Sequence, residues 1–166
     1  MFRALRAAPL LLGLLTVSLP AASQVAEGWR DTVILDREEL LAPTVLAMDW
    51  RFHPGDDPTW ADPDFDDSGW PLALPSLENI EQVAGGWTGI GWFRRQIRAT
   101  AEFGDSAGFF MGQAGASEVY LDGHRIATFG TVSADPDQER THVPQYVTSM
   151  TLEPGKAHVL AVRYSN

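Results

Sequence analysis

The 166-residue chain contains no cysteine. That excludes disulfide staples, thiol nucleophiles and cysteine-bound zinc. Basic residues are scarce: 12 Lys and Arg stand against 22 Asp and Glu, a formal net charge of −10. An acidic surface of this kind argues against nucleic acid or anionic lipid as a partner. Beyond the first 20 residues no apolar run approaches the roughly 20 residues that cross a bilayer. His53, His124, His142 and His158 lack any paired metal-ligand spacing, and H-E-x-x-H does not occur. Gly115-Ala116-Ser117-Glu118-Val119 breaks the G-x-S-x-G pattern at its last position. The Gly-rich stretch from Gly85 to Gly91 has neither the helix nor the lysine of a phosphate loop; its glycines suit a sharp entry into a sheet. No cofactor and no catalytic apparatus are expected.

What the N-terminus does carry is a secretory signal. Arg3 and Arg6 form a positive n-region, Ala7 to Leu19 an apolar h-region, and Ala21-Ala22-Ser23 a small-residue cleavage site. Residues 1–23 are expected to be removed, leaving one domain, 24–166, of about 143 residues, large enough for a single core. Loss of Arg3 and Arg6 takes the formal charge from −10 to about −12. The expected product is periplasmic or secreted, without membrane insertion of the mature chain.

Along the mature sequence the recurrent signal is the strand. Val33–Leu35 is a short apolar run, and Arg37–Leu41 could make a helical turn before Pro43. From Leu46 to Phe52, alternate residues Leu46, Met48, Trp50 and Phe52 share one face, the period-two mark of a half-buried strand. Gly91–Arg98, Phe109–Gln113, Ser117–Leu121, Arg125–Phe129, Val147–Leu152 and His158–Tyr164 are further strands. Asp122-Gly123 is a two-residue hairpin signal, because a type I′ turn needs positive φ at both centres. Short strands with turn chemistry between them predict an all-β sandwich. The final strand has a central strand's apolar pattern with nothing after it, so the expectation is a bare edge and a sandwich incomplete at its C-terminus, either a truncated product or the front module of something longer.

The segment 53–89 is the unusual part. It contains Pro54, Pro58, Pro63 and Pro71, which forbid a helix. Trp50, Trp60 and Trp70 are spaced ten apart around it. Six aspartates lie between Asp56 and Asp67 with no Lys or Arg among them. Such a long loop is anchored or functional. Asp66-Asp67-Ser68-Gly69 is turn chemistry. Trp50, Trp70 and Trp92 belong in the core, whereas Trp60 and Trp87 fall in loops. A loop tryptophan beside carboxylates can stack on a sugar's C–H face while the acids bond its hydroxyls, so Trp60, Trp87, Asp64 and Asp66 are the candidate ligand-binding residues; the competing reading makes Trp60 a staple for the loop. Asp62, Asp64 and Asp66 have a D-x-D-x-D rhythm that suits Ca²⁺, but Asp67 and Ala73 stand where an EF-hand needs Gly and Glu. Local turn formation explains the same residues. Arg94 and Arg95 are expected to pair with acidic neighbours.

The order Trp50-Arg-Phe, Asp66-Asp-Ser-Gly-Trp70, Gly91-Trp-Phe-Arg94, Glu118-Val-Tyr-Leu-Asp-Gly123 and Leu160-Ala-Val-Arg-Tyr-Ser-Asn166 resembles the galactose-binding-like jelly roll. It is similar to the sugar-binding domain of family 2 glycoside hydrolases, and closer still to the periplasmic input domain of bacterial membrane sensors with histidine kinase, diguanylate cyclase or phosphatase outputs. The resemblance covers residues 45–166 and implies a jelly-roll β-sandwich. As a sensor module the chain would recognise a carbohydrate or other small periplasmic ligand and signal through membrane and output domains absent from this sequence. As the alternative, it would be an accessory carbohydrate-binding domain. A glycosidase would need its catalytic acids in a barrel of about 250 residues, which this sequence does not contain.

Overall fold

Ile90–Ala99 is the longest strand, and its alternation organises everything around it. Phe93, Ile97 and Ala99 turn to one side, Trp92 and Arg94 to the other, and all five are buried. A strand covered on both faces must lie between two layers. The computed structural model describes residues 32–36, 46, 49–75, 87 and 89–166. The expected signal segment 1–23, the Arg37–Leu41 turn and Gly85-Gly86 lie outside the described residues.

Nine strands are described: β1 (Thr32–Leu35), β2 (Trp50–Pro54), β3 (Leu72–Ala73), β4 (Ile90–Ala99), β5 (Ser106–Phe109), β6 (Ala116–Leu121), β7 (His124–Phe129), β8 (Thr148–Thr151) and β9 (Ala157–Ser165). The main sheet runs β3-β2-β4-β9-β6-β7, with β1 also on β4. β1 and β2 share one edge of β4 end to end: β1 is parallel against Gln96–Ala99, and β2 is antiparallel against Gly91–Arg94. β5 and β8 form a separate antiparallel pair. Every other pairing in the main sheet is antiparallel. The all-β sandwich expected from the alternation is the fold.

The inner face of the main sheet supplies Trp50, Phe52, Phe93, Ile97, Val119, Leu121, Leu160, Val162 and Tyr164 to one core. Phe109 and Met150 of the two-stranded layer join it, with Phe103 and Leu152 from the connections. Trp50 packs edge-on against Phe93 at 6.4 Å, and Phe52 lies 4.8 Å from the same ring. Arg95 is buried on this face too, and it pairs with Asp49 through both carboxylate (3.7 Å) and carbonyl.

Several boundaries differ from the sequence reading. The strand expected from Leu46 begins at Trp50, because Asp49 adopts φ 59° and breaks the extended path. The strand expected over Phe109–Gln113 is Ser106–Phe109 instead, and Phe110 projects into solvent, 61% exposed. The terminal strand does not leave a bare edge: β9 is paired along β4 on one side and β6 on the other. The Asp122-Gly123 hairpin is present, with φ 48° and 79°, and a register shift between Val119 and Tyr120 bulges β7 near its start.

Candidate functional site

The outer face of the main sheet is covered by the proline-rich loop rather than by strands. Pro58–Ala61 makes one 3₁₀ turn, capped by Asp57, whose carboxylate accepts from the Thr59 N–H at 2.9 Å. The turn rests on a second apolar cluster of Ala61, Trp70, Trp92 and Ala161, with Trp60, Phe65 and Tyr120 at its margin. Three arginines on adjacent strands hold the loop down. Arg51 donates to the carbonyls of Ser68 (3.3 Å) and Trp70 (2.9 Å). Its direct cross-strand partner, Arg94, donates to Asp67 Oδ2 at 2.7 Å and to the carbonyls of Trp60, Asp62 and Phe65. Arg163 grips Asp56 with two bonds of 2.6 Å and Glu118 with a third of 2.9 Å.

These charges lower the carboxyl pKa values. The Arg163 hydrogen bonds hold Asp56 below its ordinary value against the opposing effect of burial. Burial raises Glu118, but hydrogen bonds from Arg163, Tyr120 and Arg125 outweigh it and leave the carboxyl below its ordinary range. Asp66 is also lowered, by hydrogen bonds from Ser68.

The four candidate ligand residues do not converge. Trp60 lies on the outer side, half-buried, with its ring 4.7 Å from His53, 5.1 Å from Trp70 and 6.3 Å from Trp92. Trp87 belongs to the inner side: it stacks on Phe52 at 6.3 Å, leans on Tyr164 at 5.9 Å and donates from Nε1 to the Asn166 carbonyl at 3.0 Å. The sheet therefore separates the two tryptophans. Asp62 Oδ1 accepts from the Asp64 N–H at 2.9 Å and Asp66 Oδ1 from the Ser68 N–H at 3.0 Å, so both carboxylates shape turns. Among the described residues no three His, Asp or Glu side chains converge as metal ligands, and Asp62, Asp64 and Asp66 do not form a calcium shell as placed. Arg94 and Arg95 have the acidic partners expected of them, Asp67 and Asp49.

Asp64 does line an open groove of about 340 Å³ with Pro63, Gln96, Asp122, Lys156 and His158. The Asp122–His158 contact there (2.6 Å) has the look of a catalytic dyad. However, His158 is buried, and its Nε2 accepts from the Glu153 N–H at 2.9 Å. The other Asp122 oxygen accepts from the Val159 N–H at 2.8 Å, so both ring nitrogens and both carboxylate oxygens are engaged by the fold itself. Hydrogen bonding fixes this pair as a brace between the β6–β7 hairpin and β9.

Comparison of the sequence with family models and with curated proteins gives no match. Solved structures do match the fold. A β-glucuronidase from Bacteroides uniformis superposes with a TM-score of 0.52 and 18% identity over 74% of this chain, which corresponds to 14% of that enzyme. A glycosyl hydrolase family 2 member from Bacteroides cellulosilyticus gives 0.50 and 19%, covering 74% of this chain and 17% of that one. The Ruminococcus gnavus β-glucuronidase gives 0.50 and 15%, covering 74% and 21%. The chain thus spans between about a seventh and a fifth of the enzymes it resembles. Its fold is that of a β-sandwich domain found within family 2 glycoside hydrolases.

Proposed function

We propose that this chain is a non-catalytic, carbohydrate-binding accessory domain of a family 2-like glycoside hydrolase. The observation that carries the reading is the nature of its neighbours: large glycoside hydrolases in which this sandwich accounts for only a small fraction of the chain. The sensor reading has none of these neighbours behind it and gives way to the accessory domain. Export follows from the Arg3/Arg6 n-region, the apolar h-region and the Ala21-Ala22-Ser23 site.

The test is a melting-shift screen of purified residues 24–166 against a glycan library, run beside a hydrolysis assay with nitrophenyl glycosides. A sugar-dependent rise in melting temperature without hydrolysis is the expected result. Hydrolysis that survives repurification would overturn the non-catalytic reading, and a library without a single stabilising sugar would overturn carbohydrate binding.

A further inference from the structure

Residues 106–117 and 141–152 each carry no Asp, Glu, Lys or Arg. The fold brings them together. β5 and β8 pair Ser106 with Thr151, Gly108 with Ser149 and Phe109 with Thr148. Phe109 and Met150 point into the core, which leaves Ser106, Gly108, Ser149 and Thr151 exposed on the opposite face. Where the pairing ends, four large apolar side chains stand in water: Phe110 (61% exposed), Val143 (59%), Tyr146 (77%) and Val147 (65%).

The fold holds this apolar surface in place. The His142 N–H donates to the Gly115 carbonyl at 3.0 Å, and the Gln113 amide donates to the carbonyls of both Gly115 (3.0 Å) and His142 (2.7 Å). The His142 ring stacks on Phe129, 6.1 Å away and 11° from parallel. Pro144 is buried between exposed Val143 and Tyr146. Across the pair, Gly108 makes room for Val147, since a Cβ there would come within 2.6 Å of Val147 Cγ1. Exposed apolar groups on two segments that the β5–β8 pairing brings side by side mark a binding surface.

We propose that this face, centred on Tyr146 and Phe110, binds a neutral carbohydrate. The ligand class follows from the chemistry. A sugar ring presents slightly positive C–H groups that settle on the negative face of an aromatic ring. Its hydroxyls take hydrogen bonds from neutral donors and acceptors, which Ser106, Ser149 and Thr151 supply. Neither stretch itself offers a uronic acid, sulfate or phosphate a cationic side chain. The proposal rests on the carbohydrate-binding reading and gives it a place and a ligand class.

The experiment uses the exported chain, residues 24–166, on an array of neutral and anionic glycans, followed by calorimetry with a neutral hit. Tyr146→Ala and Phe110→Ala should each weaken that hit about tenfold while leaving the melting temperature unchanged. Tyr146→Phe, which keeps the ring, should bind within about twofold. If the wild type binds neutral glycans and both alanine variants bind equally well, the site is wrong and carbohydrate binding stands. If the wild type binds only anionic glycans, the ligand class is wrong. If no glycan binds, both fall. Light scattering supplies the remaining contrary result: self-association that Tyr146→Ala abolishes would make the face an interface between copies.

Discussion

Replacing Arg94 tests how the outer loop is held. The side chain is 1% exposed and donates to the Asp67 carboxylate and to three loop carbonyls. Truncation to alanine leaves Asp67 without its cation and the carbonyls of Trp60 and Phe65 without a donor, while the Asp62 carbonyl keeps the Phe65 N–H. Removing one member of a buried ion pair costs about 3–5 kcal/mol. Asp67 keeps 24% of its exposure, which reduces that term. Stranded carbonyls add about 1 kcal/mol each where water cannot reach them. A loss of about 3–4 kcal/mol is expected, a large share of the roughly 5–15 kcal/mol that holds a domain together. The assay is urea unfolding followed by both tryptophan fluorescence and far-ultraviolet circular dichroism. Trp60, Trp70 and Trp92 lie in the cluster under the loop and Trp50 in the inner core, so a loop that detaches first puts an early step in the fluorescence that the dichroism lacks. Arg94→Lys should recover less than half of the loss, because one ammonium cannot serve a carboxylate and three carbonyls spread around a planar fork. A cost below 1 kcal/mol for Arg94→Ala, or full rescue by lysine, would refute this account of the loop.

Two further outcomes are expected. Gly91→Ala would place a Cβ 2.5 Å from Phe52 Cε2, beside a ring with no exposed surface; overpacking of this kind costs about 1–3 kcal/mol and should appear as a lowered urea midpoint. Asp56 and Glu118 both have lowered folded-state pKa values, so their contribution is full above the ordinary values of 3.8 and 4.5 and is lost as pH falls through the folded ones. The melting temperature should therefore drop on acidification below about pH 4.5, and Arg163→Met should flatten that dependence; an unchanged acid profile in the variant would contradict the role given to Arg163.

Where side chains alternate cleanly, the sequence was legible. Trp50 and Phe52, or Leu160, Val162 and Tyr164, need only period two to be placed on the inner face, and Asp122-Gly123 needs only turn stereochemistry. The loop was legible as chemistry but not as placement. Asp62 and Asp66 form the local turns that their spacing suggests, because those bonds reach two residues along the chain. Arg94 reaches residues 27 to 34 positions away, and no local pattern encodes that distance. The Phe109–Gln113 error has a similar origin. Phe109 ends its strand facing the core, and Phe110, just past that end, faces water, because the β5–β8 pair packs on the core by one face only. Trp60, Trp87, Asp64 and Asp66 share residue types that suit a sugar and a place in loops, and neither property encodes which side of a sheet a loop will cover.

The position of β9 between β4 and β6 has a consequence for biosynthesis. A nascent chain can zip β2 onto β4, and β6 onto β7, while residues 157–165 are still inside the ribosome. Each of those half-sheets then waits with an open hydrogen-bonding rim and an uncovered apolar side. Only the arrival of the late segment welds them together. Slow translation or prolonged passage in an unfolded state would lengthen that wait, and a holding chaperone should raise the yield of folded product by masking those rims.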